Sequence, residues 1–217
     1  MKVIVFDTET TGLPKHRNIY AKSMENNWPH IVSISWMILE NDVPVDSRSY
    51  IVKPNGWVIP SESSRIHGIS HEQAMQEGKD LQFVIDEFIC QHYDLLVAHN
   101  LEFDENVLVN AIYWDLNRKN FLQFPHPKRC TMTLSQSICK LPSAYTNWYK
   151  PPKLSELYKF VFGNDPIMKN LHSSMYDVEI LVKIIQHSAE LRSKLGLTER
   201  GVLKNNVATA FSKTLSL

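Results

Sequence analysis

An unbroken apolar run that ends in two carboxylates indicates where the centre of this fold lies. Val3 to Phe6 are all apolar, and Asp7 and Glu9 follow directly in the sequence FDTETTGL. A short continuous apolar run is typical of a strand buried on both faces, which predicts a central strand in a sheet covered by helices. Residues i and i+2 of a strand point to the same face, so we expect the two carboxylates side by side at the end of that strand.

Four more segments complete the predicted sheet. Ile31–Leu39 and Ser49–Val52 predict two strands that form an antiparallel meander with the first. Leu95–Ala98 predicts a fourth strand, and Cys130–Thr133 predicts a fifth strand or its end. Apolar spacing and capping residues predict helices that start after Ser70 and that cover Leu81–Phe88, Val107–Ile112, Leu154–Phe162 and Val178–Ile185. We therefore expect an α/β fold with a mixed sheet and helices on both faces.

The Asp7-Thr8-Glu9 segment predicts a cation site. Adjacent carboxylates repel each other unless a cation joins them. A hard divalent ion accepts such oxygen ligands, and Mg²⁺ is the usual ion where phosphates also bind. The alternative is a strand that ends in two solvent-facing acids.

Two further acids stand near predicted helix starts. Asp104 follows the fourth strand and falls in the first turn of a helix, and Asp177 follows Ser174, which we predict as an N-cap. Acids at such positions also stabilise a helix N-terminus, so each has a purely structural alternative. His172 is expected on the loop before the last helix. Its ordinary pKa near about 6.5 suits a general base, although a lone loop histidine is often only a surface residue.

The order of these segments resembles the DEDDh 3′–5′ exonuclease family, which includes the epsilon-type proofreading subunits of DNA polymerases. FDTETTGL, AHNLEFDENVL and the His-x-x-x-x-Asp of His172–Asp177 resemble the three motifs of that family. Three connecting segments also resemble family segments in the same order: RIHGIS (65–70), CTMTLS (130–135) and PKLSELYKFVFG (152–163). The resemblance covers residues 1–190, which we expect to form the exonuclease domain, with residues 191–217 as a tail or extension.

This resemblance implies a ribonuclease-H-like fold with a five-stranded mixed sheet and a mechanism that uses two divalent cations, Mg²⁺ with Mn²⁺ as a substitute. Asp7, Glu9 and Asp177 would hold one cation. Asp7 would share the second, on which Asp104 acts, and His172 would take a proton from the attacking water. The product would be a nucleoside 5′-monophosphate.

Substrate contacts follow from the same resemblance. The backbone of the residues after the first acids and the Leu13 side chain would pack against the terminal nucleotide; these residues are Thr10, Thr11, Gly12 and Leu13. Asn100 and Phe103 would contact the sugar or the next base, because aromatic side chains stack on single strands without sequence preference. Plain core packing is the alternative for Phe103, and an ordinary turn is the alternative for Gly12.

Two segments depart from the commonest family pattern. Residues 14–30 are longer than the minimal family linker. Residues 140–152 contain Tyr145, Trp148 and Tyr149 among lysines, and could line a single-strand path. We favour a surface loop held together by its aromatic residues.

The expected substrate is a single-stranded or frayed nucleic acid 3′ end, with DNA preferred, in proofreading, repair or end trimming. Two alternatives stay open: an exoribonuclease, as in the oligoribonuclease and ribonuclease T branches, and a binding or polymerase-associated module that does not cut. Lys plus Arg equals Asp plus Glu at 23 each, so the composition gives no basic footprint, although bound cations can replace basic residues at phosphate. A proofreader would need a separate polymerase subunit, with residues 190–217 as its expected contact.

Three dispersed cysteines indicate a reducing compartment such as the cytoplasm rather than a disulfide framework. The N-terminal sequence is charged too early for a signal peptide, and no apolar run approaches the roughly 18 residues of a membrane helix, so we expect no membrane association.

Overall fold

A mixed sheet forms the centre of the computed structural model, which describes residues 1–124, 127–145, 147–166 and 173–197. Its strands are β1 (Lys2–Thr10), β2 (Ile31–Glu40), β3 (Val43–Ile51), β4 (Leu95–Ala98) and β5 (Lys128–Cys130). The strand order is β3-β2-β1-β4-β5. The first three strands pair antiparallel, whereas β4 is parallel to both β1 and β5. The five-stranded mixed sheet and the central position of the first strand are confirmed.

Helices cover this sheet on both sides. Those in the described residues are α1 (Ser61–His67), α2 (His71–Glu77), α3 (Leu81–Ile89), α4 (Leu101–Asn110), α5 (Thr131–Cys139), α6 (Leu154–Phe162), α7 (Ser174–His187) and α8 (Ala189–Leu195). A short 3-10 helix covers Ala21–Ser23, and a π-helical turn at Ala111–Asp115 continues α4. Among the helices described, none combines the length and the apolar character that crossing a bilayer requires.

The alternation of β1 divides the molecule into two cores. Ile4 and Phe6 belong to a core that also contains Trp36 and Phe88. Val3 and Val5 point to the opposite face, into a core built largely from α5 to α8. All four of these β1 residues are at most 2% exposed, which confirms a strand buried on both faces. Burial of each large apolar side chain contributes about 1.5–3 kcal/mol, so both cores hold β1 firmly in position.

Several predicted boundaries were wrong. Thr131 to Thr133 were assigned to the fifth strand, but they form the first turn of α5, and β5 ends at Cys130. Thr131 Oγ1 donates a hydrogen bond to the Ala98 carbonyl at 3.2 Å, which ties the start of α5 to the end of β4. The third strand begins at Val43 rather than Ser49, because its half-exposed edge lacks a strong apolar pattern. Helices α1, α5 and α8 were not predicted.

Two local signals gave correct helix ends. Ser70 Oγ accepts a hydrogen bond from the Gln73 N–H at 3.0 Å at the start of α2. Gly163 ends α6 with φ of +77°, a left-handed conformation that glycine adopts without a steric penalty.

The expected boundary at residues 190 and 191 falls inside α8. Leu191 and Leu195 of this helix are buried in the same core as α7. The described part of the expected extension, through Leu197, therefore packs with the domain. Residues 198–217 lie outside the described part of the chain.

The segment 140–152 is an irregular loop, as expected, with one isolated bridge between Pro142 and Tyr149. Tyr145 is 95% exposed and Trp148 is 80% exposed. The Tyr145 side chain therefore mostly faces solvent, and the expectation that aromatic residues hold this loop together stays a prediction.

Candidate active site

The candidate site lies at the edge of the sheet where β1 and β4 end. These two strands are parallel neighbours, with Val3 opposite Leu95 and Val5 opposite Val97. Their C-terminal ends consequently reach the same edge, and the residues that follow each strand face a common crevice. The pairing of β1 with β2 shifts register between Glu9 and Thr10, an irregularity of the kind that re-aims side chains near functional sites.

Three acidic side chains meet at this edge. Ligand oxygens of Asp7, Glu9 and Asp177 all lie within 4.8 Å of one another. Asp7 and Glu9 continue the face of β1 that carries Val3 and Val5, and α7 covers that face through Val178 and its neighbours. Asp177 lies in the first turn of α7, so the packing of this helix brings the third carboxylate to the other two.

Buried serines position the start of α7. Ser174 Oγ lies 3.1 Å from Ser33 Oγ and 2.8 Å from Ser35 Oγ, both on β2. The predicted cap was wrong by one residue: Ser173 holds the N-cap position, and Ser174 is already helical and 3% exposed. Ser33 and Ser35 were missed as supporting residues, because polar residues alternating in a strand normally indicate a solvent face.

Asp104 reaches the same region from α4. It is 2% exposed, and its Oδ1 accepts hydrogen bonds from the Thr8 N–H at 3.1 Å and from Thr8 Oγ1 at 2.7 Å. Thr8 stands between the two β1 carboxylates and therefore points to the opposite face of the strand, toward α4. Thr8 was not predicted as a site residue; its place between two acids was the available signal.

Burial and mutual repulsion strongly shift the pKa values of the acids. Burial, followed by the charges of Asp104, Glu9 and Asp177, raises the pKa of Asp7 well above its ordinary value. Burial and the nearby Asp177 and Asp104 carboxylates raise the pKa of Glu9 to about 8. Burial also raises the pKa of Asp104 to about 7, against the opposing effect of the hydrogen bonds from Thr8.

These properties fit a divalent cation. The three side chains that lie within 4.8 Å of one another are all carboxylates. Carboxylates are ligands for hard ions such as Mg²⁺ and Mn²⁺. The same carboxylates are unfavourable when charged and close together, and a cation among them would remove that penalty.

The expected substrate-binding residues after the first acids form an ordered turn. The Thr10 hydroxyl donates to the Gly12 carbonyl at 2.8 Å, and the Thr11 N–H donates to the His30 carbonyl at 3.0 Å. Gly12 has φ of +151°, and nothing lies within 4 Å of the position a Cβ would take, so backbone conformation rather than crowding favours glycine. Leu13 is 68% exposed, an unusual state for leucine.

Asn100 and Phe103 lie at the start of α4. Asn100 precedes α4 with φ of +74°, and its side chain caps no helix N–H. Phe103 is half-buried and packs edge-on against Trp28, with ring centroids 5.8 Å apart. Leu13, Asn100 and Phe103 line one cavity of about 310 Å³. Phe103 therefore both packs on the core and faces the cavity.

His172 lies outside the described residues, so its predicted position is not part of this geometry. A second histidine, His99, directly follows β4 beside the site. Its Nδ1 lies 3.0 Å from Thr131 Oγ1 and its Nε2 lies 3.0 Å from the Pro152 carbonyl. Burial lowers the pKa of His99 to about 4, so it is neutral at physiological pH and acts as a structural link.

The chain is similar to known exonucleases in sequence and in fold. Residues 4–185 match the profile of the RNase_T family, described as exonucleases. None of the curated proteins matches the sequence. Among solved structures, the chain is similar to exonuclease X in complex with 5′ overhanging duplex DNA, at 21% identity and a TM-score of 0.58, over 90% of this chain and 94% of that one.

Exonuclease I chains are similar in fold. The zinc-bound E. coli exonuclease I complex with single-stranded DNA has 16% identity and a TM-score of 0.64, over 90% of this chain and 41% of that one. Exonuclease I from Methylocaldum szegediense has 14% identity and a TM-score of 0.61, over 88% and 42% of the two chains. This chain therefore spans about two fifths of the exonuclease I chains, and the likeness shows the shared fold.

Proposed function

The chain belongs to the RNase_T exonuclease family and is a 3′–5′ exonuclease of DEDDh type with a ribonuclease-H-like fold, and we propose that it releases nucleoside 5′-monophosphates from DNA 3′ ends. Asp7, Glu9, Asp104 and Asp177 are the proposed metal-binding residues, and His172 is the proposed general base. The observation that carries this assignment is the convergence of Asp7, Glu9 and Asp177 within 4.8 Å. Asp104 is held nearby by a hydrogen bond from Thr8, the residue between Asp7 and Glu9.

The family depends on divalent metal, and we propose two Mg²⁺ ions for this chain, with Mn²⁺ able to substitute. Asp7, Glu9 and Asp177 would hold one ion; Asp7 would share the second, on which Asp104 acts. When bound, such ions neutralise phosphate charge and favour ionisation of the attacking water. The neutral net charge of the chain is compatible with this role, because the ions supply the positive charge at the phosphate.

Residues of the protein would bind the substrate and accept the proton. Leu13 and the backbone of Thr10, Thr11 and Gly12 would pack against the terminal nucleotide. Asn100 and Phe103 would contact the sugar or the next base. His172 would accept the proton of the attacking water. A new bond then forms between that water oxygen and the terminal phosphorus, and the bond from phosphorus to the 3′ oxygen of the preceding nucleotide breaks. These steps yield a nucleoside 5′-monophosphate and a shortened strand with a free 3′ hydroxyl.

DNA is the proposed substrate because the solved structures of similar fold include complexes with duplex DNA and with single-stranded DNA. The last nucleotide must separate from its neighbours to enter the open crevice. A frayed or single-stranded 3′ end meets this requirement. The cellular roles that fit are repair, end trimming, or proofreading with a separate polymerase subunit that contacts residues beyond 190. The free cysteines Cys90, Cys130 and Cys139 fit a reducing compartment such as the cytoplasm.

One assay tests this proposal. The protein is incubated with 5′-labelled single-stranded DNA, mismatched duplex DNA and RNA of the same sequence, in Mg²⁺, Mn²⁺ or EDTA. We expect a ladder that shortens from the 3′ end, is strongest on DNA, and vanishes in EDTA. Asp7→Asn should lower the rate by about 10³-fold or more, because removal of a group that acts in the transition state costs several kcal/mol.

Asp165→Asn is the matched control, since Asp165 is an exposed acid that pairs with Lys159 at the surface. It should cut like the wild type. Full activity in EDTA, or an undiminished Asp7→Asn variant, would contradict the site assignment. Faster cutting of RNA would replace the DNA proposal with an exoribonuclease, and binding without cutting would indicate a non-catalytic module.

A further inference from the structure

A groove continues from the candidate active site along one side of α4. It consists of two adjoining cavities of about 310 and 280 Å³. Arg17, Asn18 and Glu102 line both cavities. The first cavity also contains Leu13 and Phe103, and the second opens toward Tyr20, so the groove leads away from the terminal-nucleotide contacts and past Arg17.

The outer wall of this groove is the 14–30 segment, and buried polar groups hold it in place. Asn27 is 2% exposed; its Oδ1 accepts from the His16 N–H at 2.8 Å, and its Nδ2 donates to the His16 carbonyl at 3.0 Å. The Ala21 N–H donates to Asn106 Oδ1 at 2.8 Å, and Trp28 Nε1 donates to the Ile19 carbonyl at 2.8 Å. Arg17 therefore extends from a backbone fixed on both sides, which lowers the entropic cost of using it to bind a ligand.

The charges of the groove single out Arg17. It is the one lysine or arginine among the described residues that line the two cavities, and its side chain is exposed. Two acids are also present. Glu105 pairs with Lys128 at 2.5 Å, whereas Glu102 is exposed in the first turn of α4. An anion in the groove would consequently avoid Glu102 and bind at Arg17, whose planar fork of donors matches phosphate oxygens.

The first cavity suits a nucleotide in size and lining. Its volume lies at the lower end of the roughly 300–1,000 Å³ range of small-ligand pockets. The edge-on pair of Trp28 and Phe103 supplies an apolar wall against which a base can pack. A cavity lined by this aromatic pair and by a single guanidinium matches one base with one phosphate.

We propose that Arg17 binds the backbone phosphate one nucleotide upstream of the scissile one, while the base of that nucleotide packs against the wall of Trp28 and Phe103. This inference rests on the proposed exonuclease function and deepens it. Arg17 is then a substrate-binding residue that makes the enzyme prefer a polynucleotide end to a mononucleotide ester. The fixed 14–30 segment is the part of the fold that presents it.

Two substrates that differ in the upstream phosphate test the contact. One is a 5′-labelled ten-residue thymidine oligonucleotide, and the other is the p-nitrophenyl ester of thymidine 5′-monophosphate, which has no upstream nucleotide. Arg17→Ala should lower the ratio of kcat/KM for the oligonucleotide to kcat/KM for the ester about tenfold, mainly through KM. Its slope of log KM against log salt should shrink by about 0.7, the value for one lost phosphate contact on a single strand. Arg17→Lys should recover part of the ratio.

Lys15→Ala is the matched control, because Lys15 is an exposed cation of the same segment that does not line either cavity. It should leave the ratio unchanged. Equal losses on both substrates in Arg17→Ala, or equal changes in Arg17→Ala and Lys15→Ala, would overturn the proposal. Anisotropy of the labelled oligonucleotide in Ca²⁺ measures binding without relying on turnover: unchanged affinity in Arg17→Ala overturns the Arg17 contact, whereas a wild type that binds but cuts neither substrate overturns the proposed function alone.

Discussion

Individual residues beside the acids influence which of the four carboxylates are ionised. Thr8 is the clearest case, because it donates twice to one oxygen of Asp104 while its neighbours Asp7 and Glu9 face the other side of the strand. Those two hydrogen bonds favour the ionised form of Asp104, against the burial that raises its pKa to about 7. Thr8 is therefore expected to keep Asp104 available as a ligand near neutral pH.

Thr8→Val tests this role with almost no change in side-chain volume. The variant loses the 2.7 Å hydrogen bond from the hydroxyl, so the pKa of Asp104 should rise further. We expect the acid limb of the profile of kcat/KM against pH to move to higher pH, and kcat/KM at pH 7 to fall about tenfold, which is the scale of one hydrogen bond to a charged group. Thr133→Val, at an exposed position on α5, is the control. A rate loss with an unmoved pH profile would mean that Thr8 acts only through packing.

Among the elements, α7 contributes most to assembly of the site. It brings Asp177 to a strand that lies far away in sequence, and its first turn is fixed by Ser174 against two serines of β2. Residues three apart on a helix share a face, so a shift of Ser174 also shifts Asp177. The position of α7 on β2 thus controls the geometry of the proposed metal-binding carboxylates.

Ser174→Ala should weaken the attachment of α7 to β2. It removes the partner of the buried Ser33 hydroxyl, whereas Ser35 keeps its hydrogen bond to Ser49 at 2.9 Å. We expect a loss of about 1–2 kcal/mol in the free energy of unfolding, the typical cost of one buried unsatisfied group, measured by urea titration. The Mg²⁺ concentration for half-maximal activity should rise several-fold. Ser193→Ala, on the exposed side of α8, should change neither quantity; equal behaviour of the two variants would contradict the structural role of Ser174.

For the molecule as a whole, ionisation of the site's carboxylates destabilises the folded state unless a cation is bound. Asp7, Glu9 and Asp104 have raised pKa values, so the folded state keeps protons that the unfolded chain releases. The stability they contribute is present below the unfolded pKa values near 4 and is lost as pH rises through about 8. Burial lowers the pKa of His99 to about 4, so His99 has the opposite effect, confined to the range between about 4 and 6.5.

Unfolding between pH 7.0 and 8.0 reports mainly on the carboxylates, because folded His99 is neutral there and an unfolded histidine, with an ordinary pKa near about 6.5, is largely neutral. In EDTA, Tm should fall across this range, and Asp7→Asn should flatten the fall by removing one of the repelling charges. Excess Mg²⁺ or Mn²⁺ should raise Tm more at pH 8.0 than at pH 7.0, since the ligands must lose their protons to bind metal. A Tm in EDTA that rises over this interval would contradict the repulsion described for the cluster.

The sequence by itself determined the parts of this protein that depend on local patterns. An apolar run gave β1, helical spacing gave α3 and α7, and the ordered motifs around Asp7, Asp104 and Asp177 gave the family. Each follows from neighbours within one or two turns or strands, where periodicity reflects which side faces a core. Boundaries at β3 and α5 failed because edge strands and tertiary hydrogen bonds override weak local preferences.

Only the tertiary structure decided which side chains support the acids and how the groove is built. The hydrogen bond of Thr8 to Asp104 joins residues 96 positions apart, and that of Ser33 to Ser174 joins residues 141 positions apart. The wall that presents Arg17 depends on Asn106, 85 positions from its partner Ala21. No local pattern encodes such pairs, because they exist only after both cores have packed helices against the two faces of the central strand.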